Sequence, residues 1–134
     1  MDGFVTWDLK QPGISFCLNE GRITLFKSTL DVIGYPEFYR FLFSPEDRLF
    51  AVQKCGMGDH GANRLGKVNQ DHYSVKTMDL VRFVYSACGW KEKVTYRIAG
   101  VSFPEDQAVQ FDLESAFEIR EGRVVEKGID FTVT

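Results

Sequence analysis

Apolar and polar residues alternate after the turn signal Gln11-Pro12-Gly13. Ile14, Phe16 and Leu18 stand against Ser15 and Cys17, the period of two that marks a strand with one buried face. Asn19-Glu20-Gly21 then supplies a turn, and Arg22 to Phe26 returns with Ile23 and Leu25 on one face. Ser28 stands where a helix cap would, with Asp31 three residues on, and Gly34 and Pro36 end the helix after about two turns. Phe38–Phe43 and Leu49–Lys54 read as strands. Ser44-Pro45-Glu46-Asp47-Arg48 joins them, and a proline in its second position presets φ for a tight turn. Further on, Leu80, Val81, Val84, Ala87 and Cys88 form an apolar stripe at helical spacing, which predicts a helix over 78–88 closed by Gly89. Strands follow over 93–99 and 108–113. A last hairpin is predicted over Ala116–Ile119 and Arg123–Glu126 about the turn Glu121-Gly122.

The order β-β-α-β-β, then α-β-β-β-β, contains a repeat. Lys-Ser/Thr, an apolar helix, Gly-aromatic, Tyr-Arg-apolar, Pro-Glu-Asp and a strand occur first over 27–53 and again over 76–113. A repeat is a statement about architecture. It predicts an α+β, mainly β chain of two related hairpin-and-helix units. The expected divisions are an N-terminal arm (1–13), a first unit (14–54), a glycine-rich linker loop (55–73), a second, divergent unit (74–127) and a tail (128–134). Glu121-Gly122-Arg123-Val124 echoes Glu20-Gly21-Arg22-Ile23 and makes Arg123 the expected mate of Arg22.

Composition narrows the classes. Twelve Phe residues raise the aromatic share to 14%, enough ring area to build a core in a chain of 134 residues. Sixteen basic and 19 acidic residues leave a net charge of -3. No long-range positive field draws in nucleic acid, so a nucleic-acid site has to be a local patch. No apolar run reaches the roughly 20 residues of a membrane helix, and the N-terminus has no basic region followed by an apolar one. A cytoplasmic protein with no membrane contact is expected. Cys17, Cys55 and Cys88 are an odd number without close pairs, which argues against a disulfide framework.

The segment Gly21-Arg22-Ile23-Thr24-Leu25, the short helix Ser28-Thr29-Leu30-Asp31-Val32-Ile33-Gly34 and the strand–acidic turn–strand after it resemble the swapped-hairpin family of bacterial transition-state regulators and antitoxins. These are the AbrB-, MazE- and SpoVT-like proteins, with a two-repeat arrangement as in MraZ. The resemblance covers about a third of the chain. It departs from the family pattern at Phe26 and Lys27, where a proline is usual. It implies an AbrB-like pseudo-dimeric β-barrel, DNA binding as a transcriptional regulator or antitoxin-like protein, and a homodimer. Arg22 is the position that matches the family's DNA-contacting motif. Lys27, before a helix start, and Arg123 join it as expected phosphate or base contacts. Each of the three also reads simply as a solvated charge beside a turn.

Other chemistries find less support. Gly56-Met57-Gly58-Asp59-His60-Gly61 fits Gly-x-Gly-x-x-Gly, but no helix is predicted after it to meet a pyrophosphate. Cys55, Asp59, His60 and His72 lack the paired close spacing of a zinc site. No nucleophile signature surrounds Cys55 or Cys17. Turn formation accounts for Glu46, Asp47, Glu105 and Asp106. Phe38, Tyr39, Phe41 and Phe43 around Arg40 could stack nucleic-acid bases, but core packing is the simpler reading. No enzyme, metal or cofactor is expected. The rival to DNA binding is a non-catalytic protein-interaction or assembly module, favoured by the acidic balance and the aromatic content. DNA binding predicts three cations on one face; the module predicts an exposed apolar patch.

Overall fold

The computed structural model describes residues 11–120, 123–126 and 129–132, and the side chains of residues 11–119. Strands β1 (Gly13–Cys17) and β2 (Arg22–Phe26) lead into helix α1 (Lys27–Ile33). The hairpin β3 (Phe38–Ser44) and β4 (Leu49–Cys55) follows, then the short β5 (Asn63–Arg64) and β6 (His72–Lys76). Helix α2 (Met78–Cys88) precedes β7 (Thr95–Phe103), β8 (Ala108–Asp112), β9 (Phe117–Arg120), β10 (Arg123–Glu126) and β11 (Ile129–Thr132). The fold is mainly β with two helices, its antiparallel strands curling into a half-barrel.

Both helices stop where the sequence predicts. Gly34 and Gly89 take φ 77° and 65°, the left-handed region in which a side chain would be strained. The start of α1 differs from expectation. Phe26, not Ser28, is its N-cap, with no side-chain capping bond. The Ser28 hydroxyl instead donates to the carbonyl of Gln11 at 2.8 Å, and the Asp31 carboxylate accepts from the Tyr35 hydroxyl at 2.8 Å. Neighbouring Thr29 is fully buried; its Oγ1 accepts from the amide of Gly13 at 2.9 Å and donates to the carbonyl of the same residue at 2.7 Å. The end of the predicted arm is thus the first residue of β1. Residues 1–10 of the arm lie outside the described residues, as does the turn Glu121-Gly122.

The predicted linker is partly sheet. β5 lies on Phe38 and Tyr39, and β6 pairs with β2 from Phe26↔His72 to Arg22↔Lys76. Tyr73, predicted to be loop, is 6% exposed and shares a hydroxyl–hydroxyl bond of 3.1 Å with Tyr39. Four residues of the predicted tail form β11 against β10.

The two repeated hairpins match in detail. β3 and β4 pair Ser44 with Leu49, and β7 and β8 pair Phe103 with Ala108. Pro45-Glu46-Asp47-Arg48 and Pro104-Glu105-Asp106-Gln107 close them, each ending in a residue of positive φ, 52° at Arg48 and 47° at Gln107. The hairpins then pair with each other through β4 and β8. Ala51 faces its counterpart Gln110, with Phe50 opposite Phe111 and Val52 opposite Val109. This is a local pseudo-twofold axis. The Tyr-Arg echo does not share that register: counted from the turns, Tyr39-Arg40 occupies the place of Ile98-Ala99, not of Tyr96-Arg97.

Strand β7 links the two halves of the sheet. Its first part lies between β1 and β9 and its last part against β8. Gly100 stands at the change. A Cβ there would fall 2.5 Å from Val109 Cγ1 and 2.7 Å from Phe111 Cε1, so only glycine lets the backbone approach. Within the curve, Ile14, Phe16, Ile23 and Leu25 meet Leu30 and Ile33 of α1, Val81, Val84 and Tyr85 of α2, and Phe50 and Phe111 of the hairpins. Trp90 stacks on Tyr96 at 4.2 Å between centroids and meets Phe16 and Tyr85 edge-on at 5.6 and 5.2 Å.

Candidate functional site

The three predicted cations begin or follow strands at separate places in the sheet. Arg22 begins β2 and Lys27 follows its end, so about 16 Å of extended strand separates them. Arg123 begins β10, which β1, β7 and β9 separate from β2. The Arg22 guanidinium lies 2.6 Å from the Glu20 carboxylate, with both side chains about half exposed at 42% and 50%. Across the ladder Arg22 faces Lys76, so two cations and one anion share the end of β2.

At the other end of β2, Lys27 lines a cavity of about 260 Å³ with Gln11, Phe26, Ser28, Asp71 and Arg97. Arg97, which the sequence reading did not single out, lies over the Phe26 ring at 4.6 Å. Burial draws its guanidinium below the ordinary value. Asp71 contacts Nδ1 of His72 at 2.6 Å, and that neighbour holds its carboxyl below the usual range. Asn69 Nδ2 lies 3.3 Å from Nε2 of the same ring. Both ring nitrogens of His72 are therefore engaged.

The glycine loop closes on itself. Asp59 Oδ2 accepts from the amide of Gly56 at 2.7 Å, and the Asp59 amide donates back to the Gly56 carbonyl. No helix follows, so a dinucleotide has no helix N-terminus to meet. Burial and the Asp59 carboxylate push the Cys55 thiol up, away from the reactive thiolate. Among the described residues, no cluster of three or more His, Cys, Asp or Glu is placed to hold a metal. No described helix is long and apolar enough to cross a membrane.

Three rings of the aromatic stripe on β3 turn inward, while Phe38 lies under the Arg64 guanidinium at 4.9 Å. Tyr39 meets Phe41, and Phe41 and Phe43 both meet the buried Phe50. Core packing, the simpler reading of the stripe, accounts for these three rings.

The other face of the same strands carries what the sequence reading missed. Leu42 pairs with Ala51, Ala51 with Gln110 and Gln110 with Val101. Residues directly opposite in a ladder point to the same side, so this row lies across the outer face. Phe103 and Ala108 form the next row. Leu42, Val101 and Phe103 are 44%, 62% and 42% exposed. Arg40 closes one corner, its Nε and Nη2 donating to Gln53 Oε1 at 3.1 and 2.9 Å. Val101 and Phe103 stand together on β7 and Leu42 on β3, at the two sides of this face, with Ala51 and Gln110 in the row between them.

No protein-family model, curated protein or solved structure matches this chain.

Proposed function

We propose that this protein is a non-catalytic interaction module, whose working surface is the outer face of β3, β4, β8 and β7. The observation that carries this reading is the exposure of Val101 and Phe103 as same-face neighbours on β7, with Leu42 exposed on the same sheet face beyond Ala51 and Gln110. Apolar groups gathered in one place on a surface mark contact sites, whereas scattered ones do not. A photo-reactive amino acid at Val101, introduced in the living source cell, tests it. The expected result is an adduct of defined mass from Val101 and none from Met57, which is more exposed but lies in the polar loop. Failure to obtain any adduct from Val101 or Phe103 would overturn the reading.

A second reading keeps the swapped-hairpin resemblance and DNA binding. The local pseudo-twofold of the two hairpins and the adjacent cations Arg22 and Lys76 favour it. Binding to random duplex DNA, titrated against salt with Arg22→Ala as control, separates the two. Tight binding that weakens steeply with salt and is lost in the variant belongs to a regulator. Absence of binding at low salt leaves the interaction module.

A further inference from the structure

The outer edge of β3 is open where its counterpart is covered. β5 occupies that edge only at Phe38 and Tyr39, and the Leu65 amide takes the carbonyl of Glu37. Glu37 therefore points its backbone groups outward, and along a strand the direction alternates. Tyr39, Phe41 and Phe43 point outward too, while Arg40, Leu42 and Ser44 face β4. Beyond Tyr39 no described strand pairs with this outer edge of β3, and Pro45 has no amide to offer. What is left is the N–H and C=O of Phe41 and of Phe43.

We propose that this edge pairs with the same edge of a second copy, antiparallel and centred on Leu42. The proposal rests on the interaction-module reading and names its partner. The register follows from the free groups. Centred on Leu42, Phe41 of one copy lies opposite Phe43 of the other, and each such pair exchanges both backbone bonds. A centre at Phe41 would bring Phe43 onto Tyr39, already taken by β5. A centre at Phe43 would bring Phe41 onto Pro45. The side chains agree with the register. Leu42 meets Leu42 on the outer face, Phe41 meets Phe43 on the inner face, and Arg40 meets Ser44, so no like charges are opposed. Phe83 of α2 adds an exposed ring edge-on to Phe43 at 5.2 Å, beside the place of the incoming Phe41. The edge also lacks the usual guards against pairing: its register with β4 runs without a bulge, and no charged residue lies between Phe41 and Ser44. The pairing repeats between two chains what β4 and β8 do within one.

Sedimentation velocity and native mass spectrometry of the full chain over a range of concentrations test this, together with amide exchange. Wild type is expected to dimerise, and exchange at Phe41 and Phe43 to slow as concentration rises. L42K and L42E alter a half-exposed side chain and leave the fold intact. Each alone should weaken the dimer by roughly tenfold or more, through loss of the apolar contact and like charge at the centre. Mixed, the two should recover a heterodimer, which only pairing of Leu42 with Leu42 explains. A monomer at every concentration overturns the proposal. So does a dimer indifferent to L42K, or protection of Phe41 and Phe43 that does not depend on concentration, since the chain itself would then cover the edge. Val101→Asp separates this from the broader reading: it removes an outer-face contact on β7 but leaves the β3 edge able to self-associate.

Discussion

The hairpins β3–β4 and β7–β8 share a turn sequence, a turn geometry and a register, yet their outer edges differ. β7 is covered by β1 from Tyr96 to Ala99, and the Gly100 amide donates to the Pro12 carbonyl at 2.8 Å. Among the described residues, a strand covers the outer edge of β3 at two residues only. The inner positions differ in the same sense. Where the first hairpin places Phe41 against the core, the second places Gly100, because Val109 and Phe111 already fill that space. One copy of the repeat supplies the corner of the curled sheet, and the other is left with an edge and a face toward solvent. Similar local sequence fixes the hairpin; what packs beside it fixes the role.

The comparison breaks most severely at the corner. Gly100→Ala forces a methyl into Val109 and Phe111 and should cost about 3 kcal/mol, the upper range for overpacking, read as a lowered urea midpoint. Thr29→Val keeps the shape but leaves both backbone groups of Gly13 without their buried partner. A loss of about 2 kcal/mol is expected, with faster amide exchange at Ala99 and Gly100, so that the edge of β7 comes to resemble that of β3. The third test is alkaline. Burial, reinforced for Tyr39 by the hydrogen bond with Tyr73, raises the phenols of Tyr39 and Tyr85 well above their ordinary value. A raised phenol contributes stability that is complete below the unfolded value near 10 and falls away as the pH climbs past it. Each should remove about 1.4 kcal/mol per pH unit there. Tyr39→Phe should lower that slope by one proton's share in denaturant titrations above pH 10. The smallest effect belongs to Arg22→Ala, which breaks an exposed pair with Glu20 and should change stability by about 0.5 kcal/mol or less.

Much of this architecture was legible in the chain. Pro-Glu-Asp turns and the glycines closing both helices act locally, and local rules found them. β6 was hidden because Tyr73 and Val75 alternate correctly but lie beside Asn69, Gln70 and Asp71, whose polarity reads as loop. The start of α1 was misplaced because Ser28 has a distant partner, Gln11, which no local capping rule anticipates. The apolar residues of the outer face were the least legible. Phe41-Leu42-Phe43 is apolar on both sides of the strand, and only the assembled sheet decides which side is covered. The cations were visible as residues, but their separation depends on strand order, which pairs β1 with β7 and places β10 beyond β9.

That pairing of β1 with β7 also governs how the chain reaches its fold. Residues 13–16 find their partners at 96–99, so β1 lacks its β7 neighbour until most of the sequence has emerged from the ribosome. Contacts so distant in sequence carry a large loop-closure cost before they return any stability, and they slow folding. The hairpin β3–β4 can close early and alone. The half-barrel can form only late, when β7 arrives to link the two halves of its sheet.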